Sequence, residues 1–374
     1  MNKPYRSGFL ERFGIFYLRL FRRRTGGIDQ IPDDATLERE IRRITVRGIW
    51  MSGITGLIMV FPMIKADVIY ADAKWYFHYG IVAAVTLLFT LIEFYCLFLI
   101  SLRTVHEIAD KLNIHSPKND YLFQGPFSIL NILSRTALEI QEPEVHLFGI
   151  NPFRQVSKRN LLILGFIYKL KIILTNFILK YVLLLLVGKE ILGVSVLYEA
   201  LLVEFFWNAM VLYKVAKEAR LRLFGFILAN QMTAKLRTGG IQAQLSAQAK
   251  ITTLRAIGNT VVLTRNYHPN MVILLLEFEE IFEIREPDRL DDWRLFLQDL
   301  QLLNLPERFF VLDTLCVSAA FDGKISDLEQ HDLQQAFGEY NSIYSERMFA
   351  LRKHLTHGRL HAAYSLCTLD FEKG

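Results

Sequence analysis

Four long apolar runs constrain this chain more than any other feature of its sequence. Gly48–Ile64 carries no charge between Arg47 and Lys65, and Tyr79–Leu102 is broken only by Glu93. Leu161–Val187 and Ile191–Tyr213 are separated by Gly188-Lys189-Glu190 alone. At 1.5 Å per residue, a helix needs about 20 apolar residues to cross a hydrocarbon core of about 30 Å. The chain as a whole is 52% hydrophobic over 374 residues, and the excess is packed into these runs. The expectation is an all-α protein: a four-span helical membrane bundle with a cytoplasmic helical C-terminal domain.

Orientation follows from where the basic residues fall. Residues 1–47 hold eleven Lys and Arg and residues 103–160 hold seven, whereas the link 65–78 holds two and the second hairpin turn one. Lys214, Lys217, Arg220 and Arg222 follow the fourth run. Every basic segment therefore falls on one side, which the positive-inside rule makes the cytoplasm. Both termini are expected inside, in the inner (plasma) membrane of a bacterium. Trp75, Tyr76 and Phe77 in the first link suit the opposite interface.

The chain then divides into six parts. Residues 1–47 form a basic cytoplasmic arm with an interfacial helix, and 48–102 a transmembrane hairpin (spans 48–64 and 79–102). Residues 103–160 are a cytoplasmic loop, and 161–213 a second hairpin (spans 161–187 and 191–213). A helical connector, 214–268, leads to a helical domain, 269–374. In the arm, Phe9–Phe21 is aromatic but broken by Glu11, Arg12 and Arg19 and closed by Arg22-Arg23-Arg24, with no small-residue cleavage site. That pattern predicts a helix in the headgroup region, held by anionic lipids, rather than a cleaved signal. A solvated arm and a mitochondrial targeting peptide are the alternatives. Three scattered cysteines give no disulfide framework and no zinc knuckle. No nucleic-acid-binding pattern accompanies the formal charge of +5.

Charges inside the runs need a reason, because each costs at least ~2.5 kcal/mol at mid-membrane. Tyr79, Thr86, Thr90 and Glu93 share one helical face, as do Lys169, Asn176 and Lys180. Glu204 and Asn208 stand one turn apart, with Glu199 nearer the hairpin. Two readings stay open. The polar set Glu93, Lys169, Asn176, Lys180, Glu199, Glu204 and Asn208 lines a pathway for ions, protons or a small anion. Alternatively, Lys169 snorkels to the interface and Lys180 pairs with Glu199 or Glu93 to keep the bundle in register. Ser52 and Gly56, four apart on the first run, allow close approach of a neighbouring helix.

Beyond Pro269 the sequence predicts helices over Asn270–Ile284, Leu290–Leu303, Pro306–Phe321, Ser326–Phe337 and Ser345–Leu366. Ser326 and Glu329 have the spacing of a capping box. The stretch LPERFFVLDTLCVSAAFDGKISDLEQHDLQQAF (Leu305–Phe337) carries an apolar helix ending in small residues, the Asp322-Gly323 turn, Ile325, Ser326 and Glu329. It resembles the helix, Asp-Gly turn and helix of TerB-like (tellurite-resistance B-like) domains. The resemblance implies a cytoplasmic helical module of a kind associated with metals and with membrane stress systems. Set against an EF-hand loop with Gly323 at position six, Glu329 falls at position twelve, but Ser318 and Ala320 fall at one and three. Alanine offers no side-chain ligand to calcium. Asp322 and Glu329 are therefore candidates either for a metal or for helix caps. His354, His357 and His361, at i, i+3 and i+7, are a second metal candidate.

Nucleophile-elbow, Walker A, dinucleotide and H-E-x-x-H patterns are absent, so neither an enzyme nor a cofactor is expected. The best expectation is an integral membrane protein that presents a cytoplasmic helical module to a protein partner or to further copies of itself. Its role would be scaffolding, stress response or signalling. A small ion or solute transporter or channel is the alternative.

Overall fold

A computed structural model describes residues 8–22, 31–114, 128–140, 150, 195–264, 267–284 and 289–369. Among these residues every regular element is a helix, as the sequence predicts. The third apolar run and the turn at Gly188 lie outside the described residues, and with them Lys169, Asn176 and Lys180.

The chain opens with α1 (Phe9–Arg22), followed by α2 (Asp34–Ile69) and α3 (Trp75–Lys111). The Asp33 carboxylate accepts the Thr36 N–H at 3.3 Å, which starts α2 well before Gly48. Leu37, Ile41 and Ile44 then form a buried stripe at helical spacing. Residues 34–47 are thus a helical stalk continuous with the first run, not part of a separate arm. Helix α3 continues to Lys111, beyond the end of the second apolar run at Leu102. After α4 (Ile129–Ala137), α5 (Ser195–Thr238) runs unbroken for 44 residues. It stops where Gly239-Gly240 allows the left-handed turn, with Gly240 at φ +64°.

The remaining helices are α6 (Ile241–Gln244), α7 (Ala247–Leu263), α8 (Pro269–Phe282), α9 (Trp293–Leu302), α10 (Leu305–Ala320), α11 (Asp327–Phe337), α12 (Asn341–His357) and α13 (Leu360–Leu366). Helices fall over all five predicted stretches, but the last one is two helices. Gly358, at φ +88°, caps α12 in the left-handed conformation and turns the chain before α13.

Two layers result. In the first, α2 packs on both α3 and α5. Among the described residues, α2 and α3 are long and apolar enough to cross a membrane. Only 6% of the apolar window of α3 and 28% of that of α2 is buried, whereas a soluble core helix would be mostly covered. In the second layer, α5 packs on α8, α7 on α8 and α10, and α10 on α12. Phe224, Phe278, Phe310 and Leu351 are fully enclosed there. The structure builds this core across the boundary expected at residue 268, because the second half of α5 and all of α7 belong to it. Arg347 closes its far side, with Nη1 2.5 Å from Asp313 Oδ1 and Nε donating to Leu366 O at 2.9 Å. The layers also meet at Asp34, whose carboxylate accepts the N–H groups of His361 at 2.8 Å and Ala362 at 2.9 Å.

Candidate functional site

A stripe of small residues on α2 makes the first site possible. A Cβ on Gly53 would lie 2.4 Å from the Phe205 ring, and one on Gly56 would lie 2.5 Å from Asn208 Nδ2. Only glycine therefore lets α5 come this close, and Ser52 uses the proximity to donate its hydroxyl to Asn208 O at 2.9 Å. The close approach encloses three polar side chains. Asn208 Nδ2 donates to Glu93 Oε1 of α3 at 2.7 Å and to Glu204 Oε1 of its own helix at 3.2 Å. All three residues are at most 3% exposed. An amide has two N–H groups, so it satisfies both carboxylates at once. The arrangement can keep the three helices in register, because Asn208 ties α5 to α3 through Glu93 and to α2 through Ser52.

The sequence placed Glu204 and Asn208 on one face, and the structure brings Glu93 to them. Tyr79, on the same predicted face of α3, is exposed instead. Glu199 falls near the start of α5, where side chains lie outside the described set. The Lys180 pairing with Glu199 or Glu93 likewise rests on residues outside it.

Further along α5, at its middle, is a second buried polar group that the sequence reading missed. His268 caps α8 and is 3% exposed, with Nε2 3.6 Å from Glu218 Oε1. Arg222 Nε donates to the same oxygen at 2.8 Å. Burial opposes ionisation of Glu218, but His268 and Arg222 outweigh it and hold the carboxyl far below the usual carboxylate range. Asn270 clamps the neighbouring backbones, donating to Leu221 O at 3.0 Å and to Phe321 O at 2.9 Å. Gly225 leaves the room for it, since a Cβ there would lie 2.0 Å from Asn270 Nδ2. The only signal in the sequence was polar residues, His268 and Asn270, beside an apolar helix.

The Asp322-Gly323 turn closes this group. Gly323 sits at φ +71°, and a Cβ on it would lie 2.9 Å from Leu221 Cδ2 of α5. Asp322 is 6% exposed, and burial pushes its carboxyl up to about 6 although His268 pulls the other way. The metal candidates do not assemble here. Asp322 Oδ1 accepts the Lys324 N–H at 2.8 Å, and Glu329 Oε2 accepts the Ser326 N–H at 2.7 Å, completing the capping box with Ser326 Oγ. Ser318, first in the EF-hand alignment, is helical and donates to Leu315 O.

The histidine candidate is corrected too. Gly358 puts His361 on a different helix from His354 and His357, so the expected single face does not exist. His357 Nδ1 lies 2.7 Å from Lys353 O, and His361 Nε2 lies 3.0 Å from Pro32 O. Burial, with Arg359 nearby, lowers the His354 pKa. Among the described residues no three His, Cys, Asp or Glu side chains converge as metal ligands would.

No family model matches the chain, and no characterised protein or solved structure matches it either.

Proposed function

We propose that the chain is a multi-pass membrane protein of the bacterial inner membrane, with four spans and both ends in the cytoplasm. It links its bundle mechanically to a TerB-like helical module in a scaffolding, stress-response or signalling role. The observation that carries this reading is the continuity of α5. One unbroken helix holds Glu204 and Asn208 among α2 and α3, and further along supplies Glu218, Leu221 and Gly225 to the joint with α8 and the Asp322-Gly323 turn. From Asn208 to Leu221 is about 20 Å of helix. A rigid element packed at both ends passes rotation or translation from one site to the other. The outward side chains near the first site support its membrane setting, since Leu202 and Phe206 are 60% and 65% exposed.

Topology is tested with reporter fusions after Gly26, Ala71, Gly125, Lys189 and Gly374. Ala71 and Lys189 should report outside and the others inside; an outside signal at Gly374 would overturn the arrangement. Coupling is tested by hydrogen exchange on the intact protein in nanodiscs. Asn208→Leu should speed exchange at residues 321–326 as well as around the substitution, and a purely local effect would remove the mechanical role. A second reading, ion or proton movement, is favoured by the two carboxylates that face one amide. Proteoliposome flux that is lost in Glu93→Gln while the melting temperature is kept would select it.

A further inference from the structure

We infer that α1 is a membrane foot: its Phe9–Phe16 ridge enters the cytoplasmic leaflet, and Arg12 and Arg19 bind the phosphates of anionic phospholipids. The inference rests on the reading of α2 and α3 as spans. One face of α1 is locked in place. Glu11 Oε1 pairs with Arg135 Nη1 at 3.0 Å in a site where both side chains are at most 4% exposed. Ser134 donates to Glu11 O at 3.0 Å, and a Cβ on Gly14 would lie 2.0 Å from Ser134 Oγ. The helix therefore cannot roll to hide its other face.

Among the described residues, that other face is apolar and not covered by another helix. Phe9 is 77% exposed and Phe16 62%, seven residues apart and so on one ridge. Arg12 and Arg19, also seven apart and exposed, run beside it. An apolar ridge with flanking arginines suits a leaflet, where rings sit below the headgroups and guanidinium groups reach phosphate.

The contacts with α3 set the depth. From Trp75 to Tyr95, α3 rises about 30 Å, the thickness of the hydrocarbon core. The Tyr17 and Tyr95 hydroxyls are 2.9 Å apart, and the Phe13 ring is 6.2 Å from that of Tyr95. Phe21 lies further along α3, 5.8 Å from His106. From Tyr17 to Phe21, α1 thus runs beside α3 from the inner headgroup level towards the cytoplasm. Its opposite end, with Phe9, points to the membrane. On α3 itself, Leu88, Leu91 and Tyr95 are exposed.

The test uses the full-length protein with Cys96→Ala, reconstituted in nanodiscs of phosphatidylglycerol and phosphatidylcholine. Spin labels are placed at Phe16→Cys and, as a span control, at Leu91→Cys. Both should be relaxed more by oxygen than by a water-soluble nickel chelate. If position 91 is nickel-accessible, the span reading itself fails. If 91 is lipid-facing but 16 is nickel-accessible, the foot is wrong. Shielding of 16 from both agents overturns it in favour of a second copy or a protein partner. In detergent, phosphatidylglycerol binding followed by native mass spectrometry should weaken about fivefold for each of Arg12→Gln and Arg19→Gln. Unchanged affinity, or equal competition by inorganic phosphate, would overturn the lipid assignment.

Discussion

Between Leu202 and Tyr213, α5 turns Phe206 and Met210 outward and hides Glu204 and Asn208. Between Lys214 and Arg237 the same helix hides Leu223, Phe224 and Leu228 and turns Lys214, Lys235 and Arg237 outward. Helix geometry is the same in both halves, so the surroundings must explain the inversion. In water, leaving a leucine exposed forfeits about 1.5–3 kcal/mol, and the C-terminal core is organised around that term. In the membrane setting proposed above, lipid tails are as apolar as leucine, so the first half would gain little by burying it. Close backbone approach at Gly53 and Gly56, and the Asn208 amide, hold that half together instead.

Truncating one large apolar side chain in each region gives the largest contrast. Phe310→Ala, in the fully enclosed core, should cost about 3–5 kcal/mol by cavity formation. Leu88→Ala, at a site 54% exposed, should stay within about 0.5 kcal/mol. Melting temperatures of the two variants in one detergent read the difference directly. A comparable loss at Leu88 would mean that α3 is a water-driven core helix and would break the comparison.

Exchanging a polar group tests the bundle next. Asn208→Leu leaves two buried carboxylates without the amide that joins them, an expected loss of about 2–4 kcal/mol. Adding Glu93→Gln removes one charge and supplies a new amide beside Glu204, so part of the stability should return. Strictly additive losses would show that Glu93 and Asn208 do not act together. The Asp322-Gly323 joint comes third. Gly323→Val combines a left-handed φ of +71° with a clash against Leu221, and should cost more than ~1 kcal/mol. A melt as stable as wild type would place the turn free of α5.

What the sequence made legible was local. Apolar run length located α2 and α3, and Ser326 with Glu329 announced a capping box that the structure contains. Glu204 and Asn208 were readable as one face because helical spacing links them. Their partner Glu93 lies 115 positions from Asn208, and no periodicity encodes a contact between separate helices. The Glu11–Arg135 pair and the His268–Glu218 contact were invisible for the same reason. The reading of 214–268 as a connector failed to anticipate the shared core, because an amphipathic pattern shows that a face is buried but not against what. The three histidines misled because their i, i+3, i+7 spacing makes one face only if the helix is continuous, and Gly358 ends it.

The smallest expected effect concerns Asp322 and sharpens the comparison from the side of the C-terminal core. Its carboxyl has an ordinary value of 3.8, and burial raises it to about 6 in the folded protein. The facing groups pull in different directions: His268 and Lys324 lower the value, and Glu329 raises it. A carboxyl with a raised folded-state pKa binds its proton more tightly when folded. Its contribution to stability is therefore complete below the unfolded value of 3.8 and is lost as pH rises through about 6. Glu218 has the opposite sign, but its depressed pKa places that loss at far lower pH, outside this window. Asp322→Asn keeps an oxygen to accept the Lys324 N–H and carries no charge. The variant should match wild type near pH 4 and exceed it by about 1–2 kcal/mol near pH 7.5, the one-to-two-unit shift expected with some water access. Melting temperatures of both proteins between about pH 4 and pH 8 decide it. A constant difference would show that Asp322 is not kept from water by the α5 joint. A variant less stable at the higher pH would show that its charge is used there.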